Sequence, residues 1–442
     1  MRRYILLSLF VTAAGLAADA GWTQFRGPER TGNAPGPNWP DSLAGLEELW
    51  RVPLDKGYPG PIVDTKRVYV AETAGGDTEV VRALDRKSGK ELWRASWPGK
   101  LAVPFFAKKN GDWIRSTPAL SDGVLYVGGM EEVLVALDAA TGRECWRVDF
   151  PKRFGTPKPD FGYSSSPLID GDALYTQAAN SVVKLNKRTG ETIWRVLERQ
   201  ADIMDSGAFS SPVIAAVAGK RQLLVQSRTT LHGIDPDNGK LLWTQDVPHY
   251  RGMNILMPSV WQDKVFTSSY RNDTYLFEIS PAPAGGFASK ERWRNKAKGY
   301  MASPVILNGY AYLHLANQRF TCIDLRTGET KWTTEPYGMY WSMAVRGGKI
   351  LALDERGQLL LLRATPEKFD LLATREVTGS PAWAHIAVVD DEVFIRDLTG
   401  VTAYRWSEAK LSQRRSSRVT PSWNSASGVN RLSTTQPLSG KS

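Results

Sequence analysis

Cysteine and histidine are scarce in this 442-residue chain, which has two of the first and four of the second. Cys145 and Cys322 stand far apart in sequence, each within a run of strand-forming residues, so both are expected as buried apolar fillers rather than a disulfide. His232, His249, His314 and His385 are scattered, and none has a second His or Cys at metal-ligand spacing. There is no G-x-S-x-G elbow, no Walker phosphate loop and no dinucleotide fingerprint. Asp170-Gly171-Asp172 and Asp235-Pro236-Asp237-Asn238-Gly239 are too short for an EF-hand calcium loop and fall at turns. These absences remove the locally encoded catalytic and metal centres. A site assembled from distant segments stays open.

Long apolar runs are also missing after the first residues, so no later stretch is expected to span a bilayer. Residues 1–20 have the form of a secretory signal peptide. Arg2 and Arg3 supply the positive start, Ile5 to Leu16 the apolar centre, and Ala18-Asp19-Ala20 the small-x-small cleavage site. No Cys follows the cut, so a lipid anchor is not indicated, and the expected location is the periplasm or the periplasmic side of an outer membrane. The formal net charge is +10. Part of the excess sits beyond Ser407, where six Lys or Arg stand against one Glu. Residues 407–442 read as a disordered basic tail. The export signal disfavours nucleic acid as the reason for the charge.

What the chain has in abundance is a repeat. Pro61 to Tyr69, Pro118 to Tyr126, Pro167 to Tyr175, Pro258 to Phe266 and Pro304 to Tyr312 share one spacing of eight residues. Asp85 to Trp93, Asp138 to Trp146, Asn186 to Trp194, Asp235 to Trp243 and Asp324 to Trp332 share a second, also of eight. Within the second set a Gly follows the acid or amide by four residues: Gly89, Gly142, Gly190, Gly239 and Gly328. The acid or amide can bond backbone two residues on, and the Gly supplies a positive φ. The closing Trp is expected to bury its ring against the next repeat. Four short strands per repeat of about forty residues predict propeller blades.

Seven complete units are predicted, over 58–95, 114–149, 163–197, 208–246, 255–295, 300–334 and 340–377. The fourth has a longer first turn through Ala218-Gly219-Lys220. The fifth replaces its last hairpin with a loop from Pro281 to Lys290. The stretch 384–406 gives three strands without a closing one, and residues 47–53 read as that missing strand. The fold expected is all-β, an eight-bladed propeller over 47–406 with four-stranded antiparallel blades, its ring closed by the N-terminal strand. Residues 21–46 form an irregular N-terminal segment that carries W-T-Q-F-R-G-P-E-R-T-G from Trp22 to Gly32.

The repeat S-x-P-x-x-x-D-G-x-L-Y-V followed by A-L-D-x-x-T-G-x-x-x-W resembles the PQQ-type β-propeller repeat, best in Ser116 to Trp146 and Ser165 to Trp194. The opening motif, with L-W-R-V-P-L and G-Y-P-G-P after it, resembles exported bacterial propellers grouped with BamB, the outer-membrane assembly scaffold. The resemblance implies a non-catalytic scaffold whose partners are envelope proteins, among them the outer-membrane β-barrel assembly machinery, acting as a monomer and without cofactor. The alternative it leaves is a quinone-dependent dehydrogenase, with pyrroloquinoline quinone and Ca²⁺ as its cofactors. Alcohol-oxidising relatives typically carry a vicinal Cys-Cys pair, which is absent here. A carbohydrate or small-ligand binder is the third reading.

Neither a catalytic nor a metal residue is assigned. Aromatic residues recur just before the first strand of each blade, where propellers line the channel mouth: Tyr58, Tyr163, Phe209, Tyr300, Tyr340, Trp341 and Trp383. They either face the mouth or pack between blades. Blade-to-blade connections on the same face add Trp97, Phe105 and Phe106 beside Lys100, Lys108 and Lys109, then Pro151 to Asp160, then Tyr250 beside Arg251. Trp97, Phe105, Phe106, Tyr163, Tyr250, Tyr300, Tyr340 and Trp341 are therefore the candidate binding face, because exposed aromatics beside cations anchor protein partners.

Overall fold

The computed structural model describes residues 21–199, 207–283 and 285–407. The expected signal peptide and nearly all of the expected basic tail lie outside them. Eight four-stranded antiparallel sheets are present. Blades 1 to 7 occupy 62–98, 119–149, 168–196, 213–246, 259–295, 305–333 and 341–376. In each, the strands hydrogen-bond in chain order, as short hairpins dictate. Blade 8 is composite: Leu46–Pro53 pairs with Gly400–Trp406, Leu46 opposite Trp406 and Pro53 opposite Gly400. Arg51 on the N-terminal strand adds an ion pair with Asp397 at 2.8 Å. The ring thus closes with no open edge between its first and last blades.

Burial follows position in the blade. The middle strands are apolar on both faces because neighbouring blades cover them; Gln358–Arg363 is buried through its whole Leu359–Leu362 run. The outermost strands alternate, as in Glu91–Pro98, because one face meets water. Cys145 sits on such an outer strand and is exposed, whereas Cys322 is buried; both are free thiols. The expectation of two buried cysteines therefore holds for Cys322 only.

Most closing tryptophans tie their blade to the next, although the indole N–H of Trp194 is buried without a partner among the described residues. The indole N–H of Trp50 donates to Arg86 O at 2.9 Å, and that of Trp93 to Ala139 O at 3.1 Å. Trp293 and Trp332 reach Leu325 O and Thr365 O, both at 2.9 Å. Trp243 differs. Blade 5 has lost the acid-to-Gly hairpin that would receive it, and its indole N–H turns back to Gln222 Oε1 in its own blade at 2.7 Å.

Two local expectations are corrected. The first turn of blade 4 is not long: Ala218 and Gly219 form a two-residue turn with φ of 51° and 73°, and the additional residues lengthen the strands Val213–Val217 and Lys220–Gln226. Blade 5 keeps its last hairpin. Thr274–Pro281 pairs with Phe287–Asn295 out to Pro281 opposite Phe287, so only the tip is loop. Pro281 stands at the strand end, where a missing N–H is tolerated.

Candidate functional site

An x-x-P segment, S-x-P in blades 2, 3 and 4, precedes the first strand of blades 1 to 6 at the channel. Its middle residue reaches the neighbouring blade: Gly60 N–H donates to Thr117 Oγ1 at 3.0 Å, Thr117 N–H to Ser166 Oγ at 3.0 Å, and Ser166 N–H to Ser211 Oγ at 2.9 Å. Met257 N–H donates to Ser303 Oγ at 3.1 Å. These bonds form a hydroxyl belt around the channel and satisfy amides where inner strands converge.

The N-terminal segment lies across that channel. Trp22 bridges to Val63 in blade 1, and Asn33 to Val345 in blade 7. Gln24 Oε1 accepts from Ile169 N–H in blade 3 at 2.9 Å. Arg26 donates to the carbonyls of Thr31 and Pro304, the latter in front of blade 6. Arg30 donates to Pro167 O at 2.8 Å and Ser166 O at 3.1 Å. Both guanidiniums are fully buried, and burial pushes their pKa values down to about 10 for Arg26 and about 9 for Arg30. Phe25 faces a cavity on one side of the segment, whereas Thr23 and Gln24 face a smaller one on the other. The irregular segment thus lines two separate cavities, the second of them formed with the turns of blades 2 and 3 at Asp122 and Asp172.

The larger cavity, of about 800 Å³, opens at the mouth on the S-x-P side and takes residues from the segments that lead into all eight blades. Three aromatic clusters make its wall, and each carries a guanidinium. Tyr58 packs on Trp113 and Trp383 at 5.6 and 6.2 Å, Trp383 stacks on Tyr340 at 5.6 Å, and Arg115 covers Tyr58. Phe161 bridges Phe106 and Phe209 at 6.1 and 5.6 Å, with Arg228 at 4.5 Å over Phe209. Tyr270 bridges Tyr250 and Tyr300 at 6.2 and 5.0 Å; Arg271 lies 5.2 Å from both the Tyr250 and Tyr270 rings, and Arg251 5.3 Å from Tyr250. Such cation–aromatic pairs hold a charge in place without neutralising it.

The electrostatics are one-sided. Lys109, Arg115, Arg228, Arg251 and Arg271 line the cavity, and no Asp or Glu does among the described residues. Burial lowers the Arg115 pKa, with Tyr58 and Asp112 acting the other way. At the floor, His385 packs against Phe25 at 5.5 Å. Burial, and then Arg26 beside it, push His385 down to about 3, so its imidazole is neutral.

Of the residues expected on the binding face, Phe106, Tyr250, Tyr300 and Tyr340 line this cavity. Phe105 stands next to it and is 84% exposed. Trp97, Tyr163 and Trp341 do not reach it. Trp97 is buried and donates to Glu79. The Tyr163 hydroxyl meets Thr176, and Trp341 lies in the core against Phe320 at 4.6 Å. Pro151 to Asp160 contributes no lining residue; Asp149 caps a short helix there, Phe150–Phe154. Sequence reasoning missed Phe25, Arg115, Phe161, Arg228, Tyr270 and Arg271.

A calcium–quinone centre fits this lining poorly. Calcium takes about six to eight oxygen ligands, carboxylates prominent among them. Among the described residues the wall offers no carboxylate and five cations. No group of three or more His, Cys, Asp or Glu poised for a metal occurs among the described residues. No helix among them is long and apolar enough to cross a membrane.

The family described as outer membrane protein assembly factor BamB matches residues 43–107 and 77–334. The BamB of Moranella endobia is 24% identical over 315 residues, which are 69% of this chain and 64% of that protein. The match thus spans a little under two thirds of that relative. Among solved structures, BamB from Moraxella catarrhalis has a TM-score of 0.61 at 16% identity, over 81% of this chain and 99% of that one. Quinohemoprotein alcohol dehydrogenase from Comamonas testosteroni has a TM-score of 0.63 at 14% identity, over 87% of this chain and 80% of that one. At such identities both likenesses speak for the fold alone, which hosts a dehydrogenase as well as an assembly factor.

Proposed function

This chain belongs to the family of the outer membrane protein assembly factor BamB, and from that premise we propose that it is an exported, non-catalytic propeller that docks envelope proteins at its channel mouth, in outer-membrane protein assembly. The observation that carries the reading is the mouth itself, three aromatic clusters each bearing a guanidinium on a rigid ring of blades. Aromatic and arginine side chains are the groups that dominate binding energy at protein interfaces. Oxidising an alcohol would require a base beside the substrate, and the described lining holds no carboxylate for that task. The N-terminal Arg2-Arg3 start and apolar Ile5 to Leu16 run support export.

Two measurements test the proposal. Purified mature protein is mixed with pyrroloquinoline quinone and Ca²⁺, desalted and scanned for the cofactor's absorbance. No retention is expected, and stoichiometric retention would overturn the non-catalytic reading. A photo-crosslinking residue at Phe105, the most exposed aromatic of the rim, is then illuminated in an envelope extract. Crosslinks to β-barrel assembly components are expected; none above the level of a crosslinker on the opposite face would sink the docking reading.

A further inference from the structure

The inference rests on the docking reading and names what is docked. We propose that the larger cavity holds a short acidic segment of a partner polypeptide that also carries a bulky apolar side chain. Charge selects the sign. Lys109, Arg115, Arg251 and Arg271 face the cavity, and the arginines contact aromatic faces rather than carboxylates among the described residues. Cations over ring faces keep their charge available to an incoming carboxylate.

The rest of the wall selects a peptide. Met253, Met257 and Met301 line the cavity with Ile255, and thioether side chains adapt to apolar groups of different shape. The volume of about 800 Å³ lies within the range of ligand pockets, on the order of 300–1,000 Å³. Yet the apolar surface does not stop at the cavity: Phe106 in the wall continues into Phe105, which is 84% exposed at the rim. An occupant that covers both must run out of the mouth, as a chain does and a small molecule does not. The N-terminal segment closes the floor, so this chain cannot thread through. Residues beyond Ser407 of this same chain have the wrong charge, six Lys or Arg against one Glu.

The experiment measures fluorescence anisotropy of a labelled hexapeptide, Asp-Phe-Asp-Phe-Asp-Phe, on the full mature chain. Its Lys-Phe counterpart and a hexameric oligogalacturonate serve as competitors. The expected result is binding of the acidic peptide at least tenfold tighter than the lysine peptide, weakening as salt rises. The double variant Arg251→Glu, Arg271→Glu changes two exposed side chains; it should melt with the wild type and lose at least tenfold in affinity. Equal binding of the two peptides, indifference to the double variant, or binding of the galacturonate in place of the peptide would each overturn the inference. Crosslinking from Phe105 separates the two levels. Crosslinks that the acidic peptide cannot compete leave the docking reading standing and remove this one. Crosslinks that are absent while the peptide binds remove the docking reading.

Discussion

Trp146, which closes blade 2, rests on Gly190 in the hairpin of blade 3. A Cβ on Gly190 would sit 2.7 Å from Trp146 Cε3, and the indole N–H reaches Lys187 O in the same hairpin at 3.1 Å. The same pairing joins Trp50 to Gly89, Trp93 to Gly142, Trp194 to Gly239 and Trp293 to Gly328. The two motifs of the repeat are thus one device. The Gly permits the turn and also leaves room for the preceding blade's ring.

Gly190→Ala should therefore cost more than the turn alone. Gly190 has φ of 72°, a conformation that costs a residue with a Cβ about 1–2 kcal/mol. The clash with Trp146 displaces an aromatic contact, and overpacking of that kind costs about 1–3 kcal/mol more. Gly219, with φ of 73° and nothing within 4 Å of the place a Cβ would take, supplies the comparison. In urea titrations Gly190→Ala should lose about twice the stability lost by Gly219→Ala or more. Equal losses would mean that the ring yields freely and that the turn alone needs the glycine.

A buried carboxylate predicts an unusual pH dependence. Glu132 is buried, and its Oε2 accepts from Ala179 N–H in the next blade at 2.9 Å. Burial pushes its pKa up to about 7, against the opposing pull of Ala179 N–H and Arg199. Between pH 4.5 and 7 the folded chain holds a proton that the unfolded chain releases, so this group's contribution is full at low pH and lost as pH rises. The shift corresponds to roughly 3 kcal/mol. Glu132→Gln keeps an oxygen for Ala179 and removes the titration. Its stability relative to wild type should rise by about that amount between about pH 5 and pH 8 in urea unfolding. A difference that does not change with pH would show that folding leaves the carboxylate's pKa where it stands in the unfolded chain.

The blades were legible because a propeller is specified locally and then repeated. Pro-to-Tyr and acid-to-Trp spacings each describe one hairpin, and the structure adds only how neighbours meet. The site was half legible for the opposite reason. A large ring before a strand can face the mouth or sink between blades, and its neighbours decide. Tyr340 finds Trp383 at the mouth, while Tyr163 finds Thr176 inside. Arg115 and Arg271 gave no sign, since an arginine in a loop has the same sequence pattern whether it is solvated or laid over a ring. Phe161 and Tyr270 lie outside the positions where aromatics recur. The place of Trp22 to Gly32 could not be read either. Its partners are Val63, Ile169, Pro304 and Val345, spread over most of the chain.

That segment gives the last prediction. Arg26 and Arg30 fasten it through carbonyls of blades 3 and 6, with no carboxylate partner for either among the described residues. Hydrogen bonds from a charged donor contribute about 1.5–3 kcal/mol each, so losing the three that reach the ring outweighs the relief of leaving two guanidiniums unburied. The double variant Arg26→Ala, Arg30→Ala should let the segment leave the channel without opening the ring, because blade 8 is closed separately by Leu46–Pro53. Hydrogen exchange reads this directly. Ala34 N–H donates to Val345 O, and Val345 N–H to Gly32 O, both at 2.8 Å; exchange at these two amides should speed up by about a hundredfold or more, as a loss of about 3 kcal/mol requires. The amide of Gly190, bonded to Asn186 O at 2.9 Å within its own hairpin, should keep its protection. If Gly190 lost protection in step with Ala34, the arginines would be holding the whole ring together, and the segment would be a structural axle rather than a separable floor.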